Sequence, residues 1–168
     1  MVRRLVRSMD LVSDVVGHLM GWAVFLLMAL ILVEVFTRYV LPTAPIAVAD
    51  EMGGYALVAV TFLGLGYTWK ERGHVRVEFL VTVLPPKVQR VLRVVTLAVA
   101  AAFGFVMIQA SYDLVSFTML FGTRSGSWLR VPMQWPQLSL VLGSGLLTLQ
   151  LLAELVKALA GPDWEKEV

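Results

Sequence analysis

The chain contains no cysteine. Disulfides, thiolate metal sites and a cysteine nucleophile are therefore excluded. It is also poor in charge. Only 15% of its 168 residues are Asp, Glu, Lys or Arg, where a soluble domain carries about 25%. Histidine occurs twice, at His18 and His74. A bis-histidine haem needs two rings facing each other at matched depth, and two histidines alone do not argue for one. No Walker loop, zinc motif or nucleophile paired with a base is present. These gaps argue against a nucleic-acid module, a disordered chain and an ordinary water-soluble enzyme.

What is present is apolar: 58% of residues are hydrophobic and the mean hydropathy is +0.79. The charges fall in clusters separated by four long gaps. Val15–Val33 holds 19 uncharged residues, Met52–Trp69 18, Val94–Tyr112 19 and Val131–Ala153 23. A bilayer core about 30 Å thick needs roughly 20 apolar residues as a helix. Hydrocarbon offers no partner for free backbone groups, so the spans must be helical. No alternating segments of about ten residues suggest a transmembrane barrel. The sequence predicts an all-α integral membrane protein of one domain, residues 1–168. Its spans are expected at about 15–40, 50–70, 88–114 and 131–157.

The first span superficially resembles a signal peptide, with Arg3, Arg4 and Arg7 ahead of it and Ala47-Val48-Ala49 after it. Its apolar run is too long, and Glu34 and Arg38 separate it from the small residues, so it reads as a retained span. Basic residues set the orientation. Eleven of the fourteen lie in the N-terminal tail, the second-to-third connection and the C-terminal tail; only Arg38, Arg124 and Arg130 lie on the other side. The positive-inside rule then places both termini in the cytoplasm. Trp69 and Trp164 fall at the inner boundary, Trp128 and Trp135 at the outer one.

Between the spans, Val2, Leu5, Met9 and Val12 stand at helical spacing, with Arg3, Arg4, Arg7 and Asp10 on other faces. This reads as an amphipathic helix on the inner leaflet. In the second connection, Glu71-Arg72-Gly73 ends a span. The segment at about 74–86 is too short and charged to cross, and reads as a second interfacial arm. Pro85-Pro86 makes a corner, with Pro86 suited to the first position of a new helix. Lys87, Arg90 and Arg93 then form a basic stripe expected to meet anionic headgroups, at ~1 kcal/mol per residue.

The best polar constellation is Glu34, Arg38, Asp50 and Glu51, near the outer boundary. Glu34 and Arg38 are four apart in the order that favours a same-face ion pair. Asp50 and Glu51 open the second span, where acids favour the helix dipole. Two readings stay open for this group: contact with a partner, or ordinary solvated helix ends. Asp113 and Glu154 are expected simply to end spans three and four. Gly64, Gly66, Gly143 and Gly145 permit close helix contact, internal or with a partner.

These residues include an ordered set of motifs. Glu34-Val35-Phe36-Thr37-Arg38-Tyr39-Val40 precedes a proline linker. Asp50-Glu51, Tyr55 and Phe62-Leu63-Gly64 follow. Next come Gly73-His74-Val75-Arg76-Val77-Glu78 and Pro85-Pro86. Arg124-Ser125, Val131-Pro132-Met133 and Trp135 close the series. In this order, across roughly residues 10–158, the chain resembles the small membrane subunit of tripartite ATP-independent periplasmic (TRAP) transporters. Asp50 stands where the family often has a glutamate, and Val60-Thr61 where it often has a tryptophan. The resemblance implies a multi-pass protein of the bacterial inner membrane, with Gly73, His74, Arg76, Glu78, Pro85 and Pro86 as the family's arm motif. It further implies a scaffold without cofactor or catalytic residue, supporting a large sodium-coupled membrane subunit. A periplasmic binding protein would deliver the substrate, commonly an organic acid. Membrane lipids are further partners; nucleic acid is not. The competing reading is a self-sufficient proton-coupled exporter working as a dimer, with Glu34 as its coupling acid.

Overall fold

The computed structural model describes residues 2–40, 47–71, 73, 84–127 and 129–160. Four helices hold nearly all of them: α1 (Val2–Val40), α2 (Ala47–Lys70), α3 (Pro86–Phe121) and α4 (Gln134–Ala160). Each is long and apolar enough to cross a membrane. The all-α, four-span expectation is met. His74, Arg76 and Glu78 of the expected arm lie outside the described residues.

The ends differ from the expected spans in informative ways. The N-terminal segment is helical, as its spacing implies, but it runs unbroken into the first span. The resulting 39-residue helix is about 58 Å long at 1.5 Å per residue. α3 begins at Pro86 as expected, and Pro85 O accepts from Val88 N (2.9 Å) and Gln89 N (3.1 Å). It then continues to Phe121, seven residues past the expected end. Gly122 stops it with φ 58° and ψ 35°, a left-handed conformation that suits a residue without Cβ. Thr123 N donates to Thr118 O (3.1 Å) and Gly122 N to Met119 O (3.4 Å), closing the last turn. α4 starts at Gln134 rather than 131. Val131–Met133 instead turn back on the loop: Ser125 N donates to Val131 O (2.9 Å) and Met133 N to Thr123 O (3.1 Å).

α4 is the hub. It packs along α3 on one side and α2 on the other, while α1 lies mainly on α2. α4 is accordingly the most enclosed of the four spans. The apolar core joins Leu97 and Ala101 of α3 to Leu147, Leu151 and Ala158 of α4, with Leu65 and Trp69 of α2 against it. Polar residues inside this core are satisfied locally. Ser144, fully buried, donates to Leu140 O (2.6 Å), and Thr148 donates to Ser144 O (2.7 Å). Such back-bonding to the preceding turn lets hydroxyls sit in an apolar bundle without a cross-helix partner.

Candidate functional site

Polar side chains collect in two layers, one at each end of the bundle. At the end that carries both helix termini of the chain, α1 and α4 contribute Asp10, Ser13, Asp14, Gln150, Glu154 and Lys157. Lys157 Nζ lies 3.1 Å from Asp10 Oδ2 and 3.1 Å from Glu154 Oε1. Gln150, 1% exposed, donates through Nε2 to Asp10 Oδ1 (2.9 Å) and accepts from the Ser13 hydroxyl (3.1 Å). Unlike Ser144 or Thr148, a glutamine amide cannot be satisfied by its own helix turn, so it reaches across to α1. α2 and α3 complete the layer. Lys70 pairs with Asp14, and Arg93 lies 3.5 Å from Glu154. Six charges, three of each sign, thus join all four helices.

At the opposite end the expected quartet divides. Arg38 Nη2 binds Glu34 and also Asp50 Oδ2 (2.7 Å), bridging α1 to α2. Glu34 is buried, at 5% exposure, while Arg38 is half exposed. Glu51 turns away to a different set. It accepts from Tyr55 OH (2.6 Å) and from the Ser127 hydroxyl, which ties the α3–α4 loop to the start of α2. The same Tyr55 OH lies 3.5 Å from Met133 Sδ.

The layers keep a common separation. Asp14 and Glu34 in α1, and Asp50 and Lys70 in α2, are each twenty positions apart. Twenty helical residues span about 30 Å, the thickness of a hydrocarbon core. Ion pairs link neighbouring helices within each layer, so these levels mark the two faces of one slab. Between them α1 and α4 carry no Asp, Glu, Lys or Arg, α2 carries only Glu51 beside Asp50, and α3 carries Asp113 on its exposed face. The layers suit the cost of charge in hydrocarbon: the ion pairs among the described residues stand at the two boundaries.

Other expected site residues are placed as follows. Gly73 N donates to Thr68 O (2.9 Å), closing the end of α2. Lys87 and Arg90 are exposed on the first turns of α3, while Arg93 is part of the ion-pair layer. The sequence reading missed the termini-end layer. Glu154 was expected only to end span four, and it bridges Lys157 and Arg93. Asp10 was expected on the polar face of a surface helix, and it points into the bundle. The signal was present: Asp10 and Asp14 share a face at i,i+4, and Gln150, Glu154 and Lys157 share one at i,i+4,i+7.

The burial of Glu34 within its own chain makes the Arg38 bridge more than a solvated helix end. Arg38→Ala leaves that acid without its cation. The effect lies between an exposed pair (~0–1 kcal/mol) and a buried one (~3–5 kcal/mol), at about 1–2 kcal/mol. Arg124, exposed on the loop, is the control. Melting of the purified protein should show a clear loss for Arg38→Ala and none for Arg124→Ala; equal melting temperatures would return the cluster to an ordinary helix boundary.

Four membrane helices, whose ion pairs among the described residues stand at the two ends of the bundle, define a small polytopic membrane protein. The model of the DctQ component of tripartite ATP-independent periplasmic transporters matches residues 27–161. The chain belongs to that family, and is thus a small membrane component of a TRAP transporter in the inner membrane. A comparison with curated proteins found no match. The matched segment takes in the whole Glu34–Arg38–Asp50 bridge. In the other layer it covers Lys70, Gln150, Glu154 and Lys157 but not their α1 partners Asp10, Ser13 and Asp14.

Proposed function

We propose that the chain is the fixed scaffold of a sodium-coupled TRAP transporter. It would support a large membrane subunit that takes up an organic acid delivered by a periplasmic binding protein. The observation that carries this is that the bundle interior between the two polar layers holds no Asp, Glu, Lys or Arg among the described residues. A subunit that moved an ion or a carboxylate through itself needs polar groups near the midplane. Here the interior between the layers is filled mainly by Leu, Ala, Gly and self-satisfied Ser and Thr; Gln137, whose buried Oε1 has no partner among the described residues, is uncharged. Glu34 does not suit a coupling acid for an exporter. It sits at the outer layer, held by Arg38.

In this reading the termini end faces the cytoplasm, as the basic residues direct. Lys87 and Arg90 reach anionic headgroups there, while Lys70, Arg93 and Lys157 are already engaged by acids of their own chain. The test is reconstitution. Proteoliposomes holding the large subunit, this chain and the binding protein should accumulate substrate under a sodium gradient, and omission of this chain should abolish uptake. Sodium-driven uptake by liposomes containing this chain alone would refute the scaffold reading.

A further inference from the structure

The asymmetry of basic residues has three exceptions, Arg38, Arg124 and Arg130. Arg38 is used within the chain, between Glu34 and Asp50. Arg124 and Arg130 are exposed and make no ion pair among the described residues. Both stand on the α3–α4 loop, which is built as a small hairpin. Arg124 and Pro132 form an antiparallel bridge. Ser125 N donates to Val131 O (2.9 Å), Met133 N to Thr123 O (3.1 Å) and Arg130 N to Ser127 O (3.2 Å). The Ser127 hydroxyl accepts from the Ser125 hydroxyl (3.1 Å) and from Leu129 N (3.2 Å), and donates to Glu51. Because α4 lies between α3 and α2, the Glu51 contact draws the loop across the start of α4. The hairpin therefore sits over the end of the bundle rather than out at its lipid rim. Arg130 also stands at a cost. Its φ of 47° is the one left-handed angle of a non-glycine residue among the described residues. A residue with a Cβ is disfavoured there, where glycine would sit freely.

We infer that this hairpin is a cationic docking point for an acidic patch on the periplasmic binding protein. The inference rests on the scaffold reading and adds the place where the delivering protein lands. Three features select that partner. The hairpin lies at the end opposite the chain termini, which the scaffold reading turns outward, so its occupant comes from the extracytoplasmic side. It covers the end of the bundle, so a soluble protein arriving from the water meets both arginines, whereas lipid headgroups meet the rim. Finally, the two guanidinium groups are carried on a hydrogen-bonded loop, and each offers parallel donors that match a carboxylate. Two such groups on a fixed frame recognise an acidic surface with little loss of ordering entropy. Exposed ion pairs add little affinity, but they steer encounter and weaken with salt. That suits a delivery protein that must land, hand over its cargo and leave.

The test titrates substrate-loaded binding protein against proteoliposomes that hold this chain and the large subunit under a sodium gradient. Arg124→Glu combined with Arg130→Glu should raise the binding-protein concentration for half-maximal uptake about tenfold, a small part of the range that electrostatic steering spans. The rate at saturating binding protein and the yield of co-purified large subunit should match the parent. Arg124→Glu alone should give about threefold. It leaves the Arg130 backbone untouched, so it separates the effect of charge from any refolding of the loop. Raising salt equally on both sides from about 0.1 M to about 1 M shortens the Debye length from about 10 Å to about 3 Å, and parent and variants should converge. An unchanged half-maximal concentration in a complex that still takes up substrate overturns the docking point and leaves the scaffold reading intact. Full uptake by the large subunit and binding protein without this chain overturns both. Loss of the large subunit from either variant assigns the hairpin to that subunit, and a shift seen only in liposomes of anionic lipid assigns the arginines to headgroups; each overturns the inference.

Discussion

Lys157→Met should lower the melting temperature of the purified protein by about 6–12 °C, on the basis of ~3 kcal/mol and ~2–4 °C per kcal/mol for a chain of this size. The lysine is the hub of the termini-end layer, 3.1 Å from both Asp10 and Glu154. Its side chain and that of Asp10 are mostly buried, and Gln150 beneath them is almost wholly so. Methionine fills the volume but leaves two acids facing each other. Cross-helix hydrogen bonds in membrane bundles average only ~0.6 kcal/mol, because the separated helices find other partners. That small figure does not govern here. The loss is of a cation between two carboxylates, and breaking a buried pair costs ~3–5 kcal/mol. The lower end applies because the layer lies at the membrane surface, where water softens the penalty. Asp10→Asn in the same chain removes one stranded charge and should recover part of the loss, a coupling that a double-mutant cycle measures. Lys87→Met, on an exposed turn, should stay within ~0.5 kcal/mol of the parent. If Lys157→Met and Lys87→Met melt alike, the layer does not hold the bundle together.

The four spans were legible because a bilayer removes charge from whatever crosses it. The gaps in the sequence were therefore the helices themselves. The helix ends were less legible, for a physical reason. Hydrocarbon thickness limits where charge can stand, not where helix must stop. α3 carries Asp113 on its exposed face and continues to Phe121, until Gly122 supplies the left-handed turn beside the start of α4. The Glu34–Arg38 pair could be read from i,i+4 spacing. That Glu51 would leave it could have been read too, since successive helical residues point about 100° apart and Asp50 already faces Arg38. The termini-end layer was hidden by a reasonable default. Charges at the end of a span are expected to face water, so Asp10, Glu154 and Lys157 each looked ordinary alone. Their meeting depends on the register of α1 against α4, which no local pattern encodes.

The same dependence on register separates two glycines that look alike in sequence. Gly143 and Gly145 both lie in α4, two positions apart. A Cβ built on Gly143 falls against the carbonyl carbon and oxygen of Phe62 in α2, well inside contact distance. That contact is with backbone, which cannot swing aside as a side-chain tip would. Relief requires α2 and α4 to separate, and α2 also carries α1. A Cβ on Gly145 meets nothing within 4 Å. Gly143→Ala should therefore destabilise by about 3 kcal/mol, at the upper end for overpacking a tight core. Gly145→Ala should be neutral or gain up to ~1 kcal/mol from helix propensity. Steric wedging at 143 outweighs the propensity gain there by about threefold on these figures. Gly143→Leu sharpens the contrast, since no rotamer removes its Cβ from the Phe62 carbonyl. Thermal melting of both alanine variants in the same detergent decides the matter. A large drop for Gly143→Ala beside an unchanged or raised value for Gly145→Ala fits a close α2–α4 crossing. Equal melting of the two would mean that the helices do not approach at Gly143, and that this glycine, like Gly145, faces the surroundings of the bundle.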